Sequence, residues 1–298
     1  MEPIELQSNR VIILDNISCP FCGVDLKGVK ANQDHIIGRR FIPIGFLEVS
    51  WNLKVNSCYK CNNTKSVLEN DISAITLFDK ALHQHDDLDT DLLQEIKRKA
   101  SRSKSLKTDL MVKDSIERIE TDFVIKKGIK LRVGFTAKPQ IEPERVFELA
   151  RLQLMGFFYF ISYNPKIKKG GFWIEGFYPL SVNIKKDWGA PLQKQFMEKV
   201  ESWCVRFYGT AAKGFFRVII RKHPVDEIWS WAVEWNKSYR VIGFFGSEAK
   251  ARLVISSFNH YNMKFYESSD GEIWGLREDV PLKDEDDILF YKASSDSK

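Results

Sequence analysis

Apolar residues recur at helical spacing in several stretches of the chain. Val67, Leu68, Ile72, Ile75 and Leu82 share one side of a helix predicted to begin after Cys61, capped by Asn62 or Asn63, with Lys65 in its first turn. A second helix is predicted over Leu92 to Lys99. It follows the break Asp86-Asp87-Leu88-Asp89-Thr90, which offers several capping oxygens. Glu142-Pro143-Glu144 opens a third, as a proline and acidic residues do in a first turn. From Val146 to Ile161 that helix is apolar almost all round, interrupted by Arg151 and Gln153. It is too short to span a bilayer, so it is predicted to be the central buried helix of a second domain. Leu192 to Phe207, and Glu248 to about His260 after a Ser247 cap, complete the helices.

Strand signals fall between them. Val11 to Leu14 is a short apolar strand. Asn32 to Ile37 and Trp51 to Val55 read as a hairpin whose long loop, 38–50, can carry substrate contacts. Phe123 to Ile125 and Ile129 to Phe135 form a second hairpin through Lys126-Lys127-Gly128, and Phe215 to Ile220 is a further strand. Trp229, Trp231, Val233 and Trp235 alternate strictly with Ser230, Ala232 and Glu234. This is the pattern of a half-buried strand, turned by Asn236-Lys237-Ser238 into Tyr239 to Phe245. The tryptophan row is sheet core or, as the functional alternative, a platform for stacked bases. Asp270-Gly271 is a hairpin turn before Ile273-Trp274. Residues 278–287 are acidic, and Ala293 to Lys298 are predicted to be disordered. The fold class is therefore α+β: a unit at 1–75, a basic helical connector at 76–134, and an α+β domain with antiparallel strands at 135–298.

A chain of 298 residues suits two domains, and its 8 Trp and 21 Phe, mostly after residue 120, can fill a sizeable core. The net charge of +5 is compatible with a polyanionic partner without establishing one. Between Lys97 and Arg132 twelve Lys or Arg face five Asp or Glu, which is either a solvated helical face or a phosphate-tracking surface. The start, MEPIELQSNR, lacks the pattern of a signal peptide, and no run is long enough to cross a membrane. His83 and His85, two apart on a helix, share no face, so metal binding there is not expected.

The cysteines change the picture most. Cys19 and Cys22 sit in CPFC, Cys58 and Cys61 in CYKC, and these two hooks have the ligand spacing of a structural zinc site. Four thiolates saturate a tetrahedral ion and leave no position for substrate. Cys204 is left over and reads as a free buried cysteine. Reduced, metal-bound cysteines point to the cytoplasm. Between the hooks, Asp34 and His35 are adjacent, so on a strand they face opposite sides. A neutral imidazole, with a pKa near ~6.5, suits a general base. Asp34 and the Asn62 carbonyl suit a hard cation such as magnesium.

The pattern Asp34-His35, Asn52, then Cys58-x-x-Cys61-Asn62-x-x-Lys65 resembles the HNH, or ββα-metal, endonuclease family in its four-cysteine form. The match covers roughly residues 10–70. It implies a hairpin followed by a helix, with His35 as general base and with Asp34 and Asn62 holding a catalytic magnesium or manganese ion. Asn52 would brace the loop and hence His35, and Lys65 would face a phosphate. Arg39 and Arg40 stand where substrate would be met. The family often reads DHIIP, whereas Gly38 stands here at the proline position.

The resemblance implies a DNA phosphodiester hydrolase of a bacterial restriction, phage-defence or mobile-element setting. The larger C-terminal domain would select or license the substrate, or bind a protein partner or a second copy of the chain. Two alternatives are a non-catalytic zinc-knuckle module that binds nucleic acid or protein, and a nuclease directed at RNA.

Overall fold

The computed structural model describes the chain apart from residues 1–2, 7–9, 49, 84–87, 116, 126–128, 138–140, 172, 174–175, 259–263, 268–270, 272, 277 and 292–298. The expected disordered tail and the Asp270 turn lie in the residues left out. The elements in chain order begin with β1 (Ile4–Leu6), β2 (Val11–Ile13), β3 (Ala31–His35), β4 (Asn52–Cys58), α1 (Tyr59–His83) and α2 (Thr90–Arg102). Then come β5 (Glu117–Ile125), β6 (Ile129–Ala137), α3 (Pro143–Ile161), β7 (Phe177–Ile184), α4 (Pro191–Val200) and β8 (Cys204–Ala211). The chain continues with β9 (Phe216–Lys222), β10 (Ile228–Trp235), β11 (Tyr239–Gly246), α5 (Glu248–Ser256), β12 (Lys264–Glu267) and β13 (Ile273–Leu276). The fold class is mixed α+β.

Near the N-terminus, β3 and β4 pair antiparallel and β2 joins the other side of β4 in parallel, with α1 following directly. The main body is a six-stranded sheet in the order β1-β8-β9-β10-β11-β7. Its centre is a meander whose β10–β11 turn places Asn236 and Lys237 at φ 53°, the left-handed geometry that suits a two-residue hairpin. Both faces of this sheet are covered. Trp231, Val233 and Trp235 pack under α3 and the N-terminal strands, while Ile228 and Ala232 face α4, α5 and Leu289-Phe290. The alternation along β10 predicted a half-buried strand, yet Ser230 and Glu234 are buried too. Glu234 is accommodated because Arg240, fully buried on the neighbouring strand, donates to it at 2.9 Å, bonds Asp287 and lies 3.5 Å over the Trp188 ring. The tryptophans at 231 and 235 are sheet core.

Other boundaries differ for local reasons. The helix expected after Cys61 starts at Tyr59, so Asn62 lies inside its first turn and is no cap. The predicted Leu192–Phe207 helix ends at Val200, and Cys204 opens an edge-to-centre strand on which its side chain is exposed, not buried. Asp89 is the N-cap of α2, accepting from the Leu92 N–H at 2.8 Å. The basic stretch is helical only as far as Arg102; the rest of the expected helical connector is a turn, a 3-10 segment and the β5–β6 hairpin. His83 ends α1, and His85 lies outside the described residues.

Apolar residues of the expected N-terminal unit and of the expected C-terminal domain pack against one another. One cluster contains Ile36, Trp51 and Leu53 together with Leu149, Phe157, Phe207 and Trp235. Trp51 stacks edge-on against Phe157 and Phe207, donates its indole N–H to the Thr210 carbonyl at 2.7 Å, and leaves no room for a side chain at Gly209. β1, from the N-terminal end, is the edge strand beside β8. Truncating a buried Trp or Phe at such a junction to Ala costs on the order of 3–5 kcal/mol. The chain is therefore expected to melt in one calorimetric transition; two separate transitions would show that the shared cluster does not couple the halves.

Candidate functional site

The four hook cysteines converge. Residues 17–26 form a tight reversal, closed by the Cys19 N–H on the Val24 carbonyl at 2.8 Å and the Leu26 N–H on the Ile17 carbonyl at 2.9 Å. Cys58 ends β4 and Cys61 sits in the first turn of α1, so a strand end and a helix start supply the second pair. All four sulfurs lie within 4.8 Å of one another, and Cys22 and Cys58 are 3.7 Å apart. Zinc–sulfur bonds of about 2.3 Å at tetrahedral angles set sulfurs about 3.8 Å apart, so the cluster fits a metal such as zinc. Crowded thiols cannot all ionise without one. A hydrogen bond from Cys61 holds Cys19 at about 5, burial pushes Cys22 up to about 11, and Cys61 is driven far above the thiol range by Cys19. A dication supplies the charge that lets all four act as thiolates. The Tyr159 hydroxyl of α3 lies 3.0 Å from the Ser18 hydroxyl and ties the first hook to the core.

β3 carries the next residues, with Asp34 opposite Val55 and His35 opposite Lys54. The alternation predicted for a strand is observed: Asp34 is buried and His35 is half-buried. His35 lines a cavity of about 230 Å³ with Arg39, Asn52 and Lys54. Burial, then Lys54, Arg39 and Lys65, lower its pKa to about 4, so the imidazole is neutral at neutral pH. Asn52 is buried and clamps Ile37 from both sides: its Oδ1 accepts from the Ile37 N–H at 3.3 Å and its Nδ2 donates to the Ile37 carbonyl at 2.8 Å. The loop that follows His35 is thus fixed by Asn52.

On the opposite side of β3, Asp34 meets Lys65. Lys65 was expected to face a phosphate, but it is fully buried. Its Nζ donates to the His35 carbonyl at 2.6 Å and pairs with Asp34 at 3.4 Å and Glu69 at 2.9 Å. Helix periodicity explains this: Lys65 and Glu69 are one turn apart on the inner face of α1. Burial raises the pKa of both Asp34 and Glu69, against the pull of Lys65. For Lys65, burial acts downward, but Glu69 and Asp34 outweigh it and hold it above its ordinary value. Asp34 Oδ2 is buried with no hydrogen-bond partner. Asn62 is half-buried in the first turn of α1, and Arg39 and Arg40 are exposed on the loop.

Glu69, invisible as a site residue in the sequence, also explains Gly38. The Gly38 N–H donates to Glu69 Oε1 at 3.0 Å, and a β-carbon at 38 would overlap the carboxylate. A proline there would lose that donor. The spacing Lys65-x-x-x-Glu69 was the available signal, but not its burial. Gly38→Ala is expected to destabilise the chain by about 1–3 kcal/mol through overpacking, read as a lowered thermal midpoint. An unchanged midpoint would mean that Glu69 swings away freely.

Among the described residues the four cysteines are the one group of three or more His, Cys, Asp or Glu placed to share a metal ion, and no helix is long and apolar enough to cross a membrane. Compared with protein-family models, curated proteins and solved structures, the chain gives no match.

Proposed function

We propose that the chain is a metal-dependent nuclease of the HNH type, hydrolysing phosphodiester bonds in DNA. One observation supports this reading: Asp34 and His35, neighbours on one strand, present a carboxylate and an imidazole. His35 presents a neutral imidazole to a cavity lined by two cations, Arg39 and Lys54, and one acid, Glu48, a net positive lining that suits a base beside an anionic substrate. Asp34, its neighbour, lies with Glu69 around one ammonium, so two buried carboxylates face a single positive charge. Burial works against ionising both, and a divalent ion on the unpartnered Asp34 Oδ2 would hold that carboxylate in its charged form. Magnesium needs only one or two protein oxygens and keeps its remaining positions for water and phosphate. Asn62 is the second ligand in this proposal, and zinc on the four cysteines is structural.

In this scheme His35 takes the proton from the attacking water, and a divalent ion held by Asp34 and Asn62 would supply charge stabilisation for the scissile phosphate and the leaving oxygen. The C-terminal sheet holds the unit in place and selects its substrate. The test incubates the purified chain with supercoiled plasmid, linear duplex, single-stranded DNA and RNA, with magnesium, manganese or no added ion. Metal-dependent cutting of DNA is the expected result. Cutting of RNA alone would keep the chemistry and change the substrate; binding without cutting would leave a non-catalytic zinc module.

A further inference from the structure

A second, larger cavity of about 740 Å³ lies between α1, α2 and the loop 38–50. Six cations line it, Arg39, Arg40, Arg98, Lys99, Arg102 and Lys104, against two acids, Asp71 and Glu95. Both acids are already engaged. Asp71 is bonded by Arg145 and accepts the Leu106 N–H at 3.0 Å, while Glu95 accepts the Ile44 N–H at 2.8 Å. Lys99 is a brace: it donates to the Arg40 carbonyl and the Ser73 hydroxyl and so ties α2 to the loop and to α1. The remaining cations, on the loop and at the end of α2, are exposed. Basic residues in a last helical turn commonly do no more than complement the helix dipole. That accounts for Arg102, but not for Arg98 one turn earlier on the same side of α2, nor for two arginines arriving from some sixty residues earlier in the chain. Lys104 pairs with Asp109 at 3.0 Å, but both are exposed, and such a pair is readily exchanged.

We infer that this cleft binds the phosphate backbone of double-stranded DNA and leads it to His35. The inference rests on the nuclease reading for its direction, since Arg39 and Ile44 line both the cleft and the His35 cavity. No aromatic ring lines the cleft among the described residues. Single strands are held largely by bases stacked on such rings, so the cleft suits a backbone whose bases are already paired.

The test is binding of a fluorescent duplex, without added divalent ion, as salt is raised. Each phosphate contact contributes about 0.9 to the slope of log affinity against log salt. The triple variant Arg98→Gln, Arg102→Gln, Lys104→Gln is therefore expected to lose about 2.7 of that slope, so that between about 50 and 200 mM salt its affinity falls about 40-fold less than the wild type's. Arg98→Lys, Arg102→Lys, Lys104→Arg, which keeps the charges, is expected to restore the slope. Wild-type affinity and slope in the glutamine variant would overturn the assignment, as would tighter binding of a single strand than of the duplex. The two readings fail separately. A wild-type chain with the steep slope but no cleavage sinks the nuclease and keeps the cleft. Metal-dependent cleavage with an unaltered slope in the variant does the reverse.

Discussion

Cys58→Ser is expected to unfold the chain rather than merely disarm it. The cysteine ends β4 and stands one residue before α1, so a metal on the four sulfurs would pin a strand, a helix start and the 17–26 reversal at once. Structural zinc in such sites carries an apparent binding free energy of about 10–16 kcal/mol, which is folding free energy because no site exists in the unfolded chain. A whole domain is stable by only about 5–15 kcal/mol, so this term alone can decide whether it folds. The damage should not stay local. Trp51, one residue before β4, shares its packing with Phe157 of α3 and Phe207 of β8. Elemental analysis should find about one zinc per wild-type chain. The variant should lose both the metal and its near-ultraviolet circular dichroism. A wild-type protein purified without zinc, with the same spectrum and melting temperature, would end this account.

How much of this was legible beforehand depends on the range of the interaction. Each Cys-x-x-Cys hook, the alternation at Asp34 and His35 and the turn at Asn236-Lys237 are patterns of a few residues that the structure shows where the sequence has them, and the two hooks converge. The Asn52 brace on Ile37, fifteen residues away, is an expectation from the family resemblance and not from spacing. The failures are at positions decided by packing between distant segments. The spacing of Lys65 and Glu69 marks a pair one helical turn apart, but nothing near Lys65 in the chain announces that Asp34 will join them or that all three will be buried. Likewise the alternation of β10 records only one covered face, because the second face is closed by α4, α5 and Leu289-Phe290. Cys204 reads as a buried residue by type, but its place at the start of β8 leaves it exposed. The shared core was hidden for the same reason. Apolar residues in 31–58 and in 146–161 each fit a local helix or hairpin, and only the fold shows that they bury one another.

His35→Ala is expected to reduce cleavage by about 10²–10⁴-fold, the loss typical of a general base. That corresponds to about 2.7–5.5 kcal/mol of transition-state stabilisation. Zinc should be retained, since the imidazole faces the cavity with Arg39, Asn52 and Lys54 and the sulfurs lie elsewhere. Duplex binding should also persist, because those cations remain. Two neighbours separate the base from its support. Asn62→Ala should raise the magnesium concentration needed for half-maximal rate while leaving the saturated rate nearer to wild type, the signature of a lost ligand. Asn52→Ala should lower the rate at every metal concentration, because the Ile37 N–H and carbonyl both lose their partner and the loop after His35 is released. That substitution also costs stability, about 1–3 kcal/mol for the unpaired buried groups, so its rate is read well below its melting temperature. The pattern across the three variants is the discriminating result. Should His35→Ala cut as fast as wild type, the imidazole is only a wall of the cavity, and the proton must leave the attacking water by another route.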